Sequence, residues 1–298
     1  MSSEKINHDQ IFKNLIQEFF KEFMEGFLPE IAEEIDFSCV EFLKDEFFSD
    51  LTKGRKKLLD LVAKVRLKKG DEEYILIHTE FESRKPGKDF PERMFRYFCH
   101  LYLKLGKRII PIVLFTDDHK WEKPVPDTFR MEFKNREYLK YFYHSIKLKH
   151  YNWRDFVNSN NPVIYALMAK MDYSRKEIAK LKLEFLRLIT QAEHNKARQS
   201  FLLEFIDAYI RLNKKEQQEF QQAIEELAPK EVVNMITTFE KQGALKTAKE
   251  DVVEVLEIKF KDIPYPLKEK IEYCDDIKKL KKLFRQALRA TSINELRI

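Results

Sequence analysis

Three carboxylates, Asp60, Glu80 and Glu82, stand at the ends of two apolar runs in the stretch "LLDLVAKVRLKKGDEEYILIHTEFESRK", residues 58–85. Acids are depleted in strands and are seldom fully buried without compensation, so this placement calls for a chemical reason. Residues 58–67 and 74–83 have strand character, and "KKGDE" with Gly70 supplies a turn between them. Alternate strand residues share a face, which sets Tyr74, Leu76, His78, Glu80 and Glu82 on one side and Ile75, Ile77, Thr79 and Phe81 on the other. A hairpin symmetric about Gly70 pairs residues whose numbers sum to 140, so Asp60 faces Glu80, with Cβ atoms about 5 Å apart. Facing like charges need a proton, an arginine or a divalent cation. A slip of one residue would turn Asp60 to the other face and dissolve the pair.

Paired carboxylate oxygens suit Mg²⁺ or Mn²⁺, which bind through a few acids and keep positions for water and phosphate. Such an ion lowers the pKa of a bound water and stabilises charge on a phosphodiester during hydrolysis. The charge distribution points the same way. The chain has a formal charge of +5, yet residues 51–110 hold 16 Lys or Arg against 8 Asp or Glu, a local +8 that leaves −3 for the remainder. A basic surface around the hairpin would attract a polyanion, most commonly nucleic acid. Lysine-rich edge strands that resist aggregation give the same composition.

Elements on either side must hold these residues. Residues 7–35 carry a helical stripe of Ile11, Leu15, Phe19 and Phe23 that ends near Gly26 and Pro29, and "FSCVEF" is a short strand. After the hairpin, Asp89 and Pro91 start a helix whose apolar face is Phe95, Phe98, Leu101, Tyr102 and Leu105, and Gly106 ends it. The run "RIIPIVLFTDD" then reads as a buried strand reached by a crossover, and "YFYHSIKLKHY" as a further strand. From about Asn161 onward the pattern is helical, with breaks near Asn195, Asn213 and Pro229. Mixed charges on those helices indicate solvated faces, and packing or homo-oligomerisation is their expected role.

Composition excludes several classes. Phe is abundant at 25 and Gly scarce at 6, and neither GxGxxG nor GxxxxGK[ST] occurs, which argues against two common nucleotide-binding folds. Cys39, Cys99 and Cys274 lie far apart without a CxxC, so neither a disulfide framework nor a zinc site is expected. No run approaches 18 apolar residues and the start "MSSEKINHDQ" lacks a signal-peptide core, so a cytoplasmic protein without membrane contact is expected.

The order of these stretches resembles the PD-(D/E)XK nuclease superfamily, and within it the bacterial Rpn family of recombination-promoting nucleases and transposase-like proteins. The matching segments are "HDQIFKNLI", "LLDLVAKV", "ILIHTEFES", "FPERMFRYFCHLYLK", "IIPIVLFTDD", "NPVIYALMAKM" and the tail "VLEIKFKDIPYPLKEKIEYCDDIKKL". The resemblance implies an α/β nuclease-like core of order αβββαβ, a mixed central sheet flanked by helices, over residues 1–160, then a helical region over 161–298. It implies a Mg²⁺- or Mn²⁺-dependent DNA endonuclease, with Asp60 and Glu80 as metal-binding acids and His8 and Asp9 in the opening motif. The position two after Glu80 usually holds Lys or Gln, and here it is Glu82. A lysine there would stabilise transition-state charge, which a glutamate cannot do. Glu82 then serves as a third ligand or a base, a cation arrives from elsewhere, or the chain is an impaired DNA-binding module.

Arg93 and Arg96, one turn apart, are the candidates to supply that cation and to bind phosphate. Lys64 shares Asp60's face but lies about 13 Å along it, too far to replace the lysine. Asn7 or Asp9 equally suits a helix N-cap, and His78 suits packing or a hydrogen bond as well as a metal. Tyr97 reads as core, and Trp121 and Trp153 as packing rather than base stacking.

Overall fold

The structure, a computed structural model, describes residues 8–43, 60–68 and 74–296. The N-terminal helical stripe forms three pieces, α1 (His8–Glu18), α2 (Phe20–Phe27) and α3 (Pro29–Ala32). Pro29 sits at the first turn of α3, where its missing N–H costs nothing, and Phe12, Leu15, Ile16, Phe19 and Phe23 are buried. Strands β1 (Ile35–Phe42), β2 (Leu61–Leu67) and β3 (Tyr74–Glu82) follow, then helix α4 (Phe90–Leu105) and strand β4 (Arg108–Phe115). Helix α4 ends on Gly106 at φ 60°, a left-handed position that glycine occupies without strain. This is the expected αβββαβ order.

Three further strands complete the β structure: β5 (Thr128–Phe133), β6 (Arg136–Phe142) and β7 (His144–Lys147). The main sheet has the order β1-β2-β3-β4-β7, antiparallel through β3 and parallel from β3 to β7. Helix α4 makes the crossover from β3 to β4, as parallel pairing demands. On one face Leu101 packs on Val62 and Leu76, and on the other Phe12 of α1 lies against Phe81. The sheet is therefore mixed and flanked by helices.

Strands β5 and β6 form a separate two-stranded ribbon. From sequence, "YFYHSIKLKHY" reads as one strand; the structure divides it at Tyr143 between β6 and β7. Turn residues Lys134 and Asn135 both have positive φ, the mark of a type I′ hairpin. That turn lacks the usual glycine, which hides the ribbon in the sequence.

Helices α5 (Pro162–Leu167), α6 (Ile178–Ala192), α7 (Lys196–Tyr209) and α8 (Lys214–Leu227) come next. Asn161, Asn195 and Asn213 cap α5, α7 and α8 with their side chains, and the last makes a full capping box with Glu216. Compactness breaks between Ala228 and Pro229, not at residue 160. The reason is packing: Asn161 Nδ2 donates to the Glu22 carbonyl at 2.7 Å, Arg198 bonds Glu22, and Phe205 meets Phe12 edge to face. The second unit contains α9 (Lys230–Phe260), α10 (Tyr265–Glu272) and α11 (Ile277–Arg289), with a core of Val252, Leu256, Leu280 and Leu283. Among the described residues no helix is long and apolar enough to cross a membrane.

Candidate active site

The β2–β3 register decides whether the acids converge. Leu61 pairs with Thr79, Val62 with His78 and Ala63 with Ile77, so partner numbers sum to 140. The turn around Gly70 lies outside the described residues. Asp60, just before β2, is tied to β3 by two hydrogen bonds. Its Oδ2 accepts from the Phe81 N–H at 2.8 Å, and its own N–H donates to Glu80 Oε1 at 3.2 Å. Asp60 and Glu80 thus meet at the end of the strand pair.

Glu80 is 0% exposed. Its Oε1 lies 2.8 Å from His78 Nε2, which takes the role of hydrogen-bonding partner in that contact. His78 is itself buried and meets the Tyr97 ring edge on at 5.8 Å. Glu80 Oε2 has no hydrogen-bond partner. A buried acceptor left unpaired costs about 1–3 kcal/mol, and more when charged. One oxygen of a wholly buried carboxylate therefore points to something that completes it.

Glu82, two residues on and nearly buried, bonds Arg93 of α4 through Oε1 and Nη2. Arg93 also lies over the Phe90 ring, 4.7 Å from its centroid. The helix thus delivers a guanidinium to the position beside Glu82. One turn further along α4, half-buried Tyr97 feels the same acids. Burial, then the charge of Glu80, push its phenol up to about 12, with Arg93 opposing and Asp60 and Glu82 adding. Tyr97 therefore remains a proton donor at neutral pH. Its periodicity gave only a core signal, because it sits in a phenylalanine-rich stripe.

The remaining sequence candidates lie elsewhere. Arg96 is held by Glu92 at 2.6 Å on the exposed side of α4. Lys64 reaches Glu41 on β1 at 3.4 Å. His8 contacts Tyr209 of α7, Nδ1 to hydroxyl 3.1 Å. Asn7 and the side chain of Asp9 lie outside the described residues. Trp121 and Trp153 are buried in packing positions.

A pair missed in the sequence closes the same edge of the sheet. The Thr116 N–H donates to the Glu82 carbonyl at 2.8 Å, and Asp117, next along the chain, accepts from buried Lys147 at 2.6 Å and from Trp121 Nε1 at 3.2 Å. Thirty residues separate Asp117 and Lys147 in the chain, so no local pattern links them.

Among the described residues no three His, Cys, Asp or Glu side chains form a metal cage. Carboxylate oxygens suit a hard ion that keeps its own waters, and Asp60 and Glu80, linked through the Asp60 N–H, are the residues that would hold one.

A mixed sheet flanked by helices, with acids at the ends of adjacent strands, is a nuclease-like α/β core. The chain belongs to the family described as "Putative transposase, YhgA-like", which matches residues 6–232. No curated protein and no solved structure matches it.

Proposed function

We propose that this protein is a divalent-cation-dependent DNA endonuclease that hydrolyses phosphodiester bonds in recombination or transposition. The observation that carries this reading is the buried Glu80 carboxylate, held opposite Asp60 with one oxygen unpartnered. Asp60 and Glu80 would hold Mg²⁺ or Mn²⁺, and that ion would supply an activated water and charge stabilisation at the phosphate. His78 fixes the Glu80 carboxylate through its 2.8 Å contact. Arg93 neutralises Glu82 and would bring guanidinium charge beside the position where the nucleases it resembles usually carry Lys or Gln, and a guanidinium is well suited to phosphate oxygens. Tyr97 keeps its proton and can donate it as a hydrogen bond to an oxyanion.

Supercoiled plasmid nicking in Mg²⁺ or Mn²⁺ tests the proposal. Wild type nicks, Glu80→Gln does not, and both unfold at the same temperature within a few degrees. Absence of nicking by wild type in either ion across pH 6–9 removes the endonuclease reading.

The Glu82–Arg93 pair favours a second reading, a DNA-binding module whose chemistry has been lost, because the arginine is already engaged by an acid. DNA affinity that survives EDTA, is salt-dependent and ignores Asp60→Asn, without any cleavage, selects that alternative.

A further inference from the structure

We propose that α11 holds duplex DNA, grasping the phosphate backbone with a stripe of cations on its outer face. This rests on the DNA partner of the preceding reading, but not on cleavage. The helix reads "IKKLKKLFRQALR", with Lys278, Lys279, Lys281, Lys282, Arg285 and Arg289 and no acid. At about 100° per residue, all of these but Lys279 fall within one arc of about 100°. They are exposed. On the opposite side Leu280, Leu283 and Ala287 are 0% exposed and pack with Val252 and Leu256 of α9. Lys259 of α9 fastens the far end by donating to the Ala287 and Leu288 carbonyls at 3.0 and 2.7 Å. Packing within the second unit thus turns the cationic stripe to solvent.

Helix stability does not account for this arrangement. Lys278–Lys282, Lys281–Arg285 and Arg285–Arg289 are like charges one turn apart, which oppose helix formation. Lys278 and Lys279 stand in the first turn, where the helix dipole disfavours cations, and Arg289, in the last turn, is the one that it favours. Asp276 caps the helix through the Lys278 and Lys279 N–H groups at 2.7 and 3.3 Å, so it precedes the stripe and does not interrupt it. Among the described residues none of the five stripe side chains forms an ion pair. The mixed charges expected of the helical region hold for α8, where Lys215 stands 3.8 Å from Glu219, but not for α11. Solubility is served by mixed signs, so a stripe of one sign points to an anionic partner.

The shape of the helix selects that partner. Its apolar side is spent on α9, so no face is left to sink into a bilayer, as membrane-surface helices require. A duplex backbone matches the stripe in length. Lys278 and Arg289 are 11 positions apart, which is about 16 Å of helix axis, and duplex DNA carries about ten phosphate charges over that distance, about half of them on one side. Five cations meet that half. Contacts to phosphate carry no base readout, so the binding is independent of sequence. The stripe lies beyond residue 232, where the family match ends. It supplies affinity and no chemistry, so nicking at saturating plasmid does not need it.

Anisotropy of the full chain in EDTA, with a labelled duplex of about 20 base pairs over a range of salt, tests this. Lys278→Gln, Lys282→Gln, Arg285→Gln and Arg289→Gln combined should weaken binding by about tenfold or more and make log affinity shallower against log salt by about 3 to 4. That variant should melt at the same temperature or higher, since its like-charge pairs are gone. Arg285→Gln with Arg289→Gln should give about half the change in slope, and Lys278→Arg with Lys282→Arg none. Equal charge removed by Gln at the exposed Lys176, Lys180, Lys214 and Lys215 should leave affinity within about twofold. No duplex binding by wild type, an unchanged slope in the fourfold α11 variant, or equal weakening by the control overturns the proposal. So does loss of binding to phosphatidylserine vesicles with DNA affinity intact, which would assign α11 to a membrane surface. Stripe-dependent binding without any nicking by wild type would leave α11 standing while the endonuclease reading fell. Nicking with affinity independent of the stripe would do the reverse.

Discussion

At the scale of single residues, Asp60 holds structure, because its Oδ2 accepts the Phe81 N–H across the strand pair. Asp60→Ala should therefore cost about 1–3 kcal/mol of stability in denaturant titrations and, under the endonuclease reading, nicking as well, whereas Asp60→Asn keeps an acceptor and should lose nicking with less loss of stability. His78 supports Glu80 without standing at the solvent edge. Under the endonuclease reading, His78→Ala should reduce Mn²⁺ affinity by about 10- to 100-fold, as loss of an outer-shell partner does, measurable by calorimetry apart from turnover. The acids and their facing register were legible from strand alternation and the position of Gly70. The engagement of Arg93 by Glu82 was not, because helix spacing puts Arg93 and Arg96 on neighbouring positions and only the packed structure sends one to Glu82 and the other to Glu92.

At the scale of elements, α4 is the joint between sheet, acids and ribbon, and its packing is rich in buried phenols. Tyr141 bonds the Met94 carbonyl at 3.3 Å, whereas the buried Tyr143 hydroxyl has no partner. Tyr143→Phe should consequently be neutral or raise stability by up to about 1 kcal/mol, read from a thermal melt. Burial raises the Tyr97 phenol to about 12 and drives Tyr141 and Tyr143 higher than the usual phenol value of 10. The folded state therefore binds these protons more tightly than the unfolded chain. Their contribution to stability is complete below pH 10 and is lost as pH rises from 10 through 12 and beyond. Melting temperature should fall steeply above pH 10, and Tyr141→Phe should flatten that slope. Helix α4 itself was legible because Pro91 and Gly106 punctuate it, but the ribbon against it was not. Lys134 and Asn135 adopt left-handed backbone without the glycine that normally signals such a turn.

At the scale of the whole molecule, the family match ends at residue 232, close to the break in compactness after Ala228. A chain ended at Ala228 should unfold cooperatively and, under the endonuclease reading, retain plasmid nicking within about threefold, since all the acids and α4 lie before that point. The change from strands to helices near residue 160 was legible from periodicity alone. The unit boundary was not, because it depends on long-range contacts such as Phe12 with Phe205 and Arg198 with Glu22, which no local window contains.

The bond from Asp60 to the Phe81 amide also bears on how descendants of such a protein should be read. A lineage that stopped cutting would still be under pressure to keep this aspartate, since it fastens neighbouring strands. Glu80 is occupied in the same way through Oε1, which accepts the Asp60 N–H. Inheritance of either acid is therefore poor testimony to surviving chemistry.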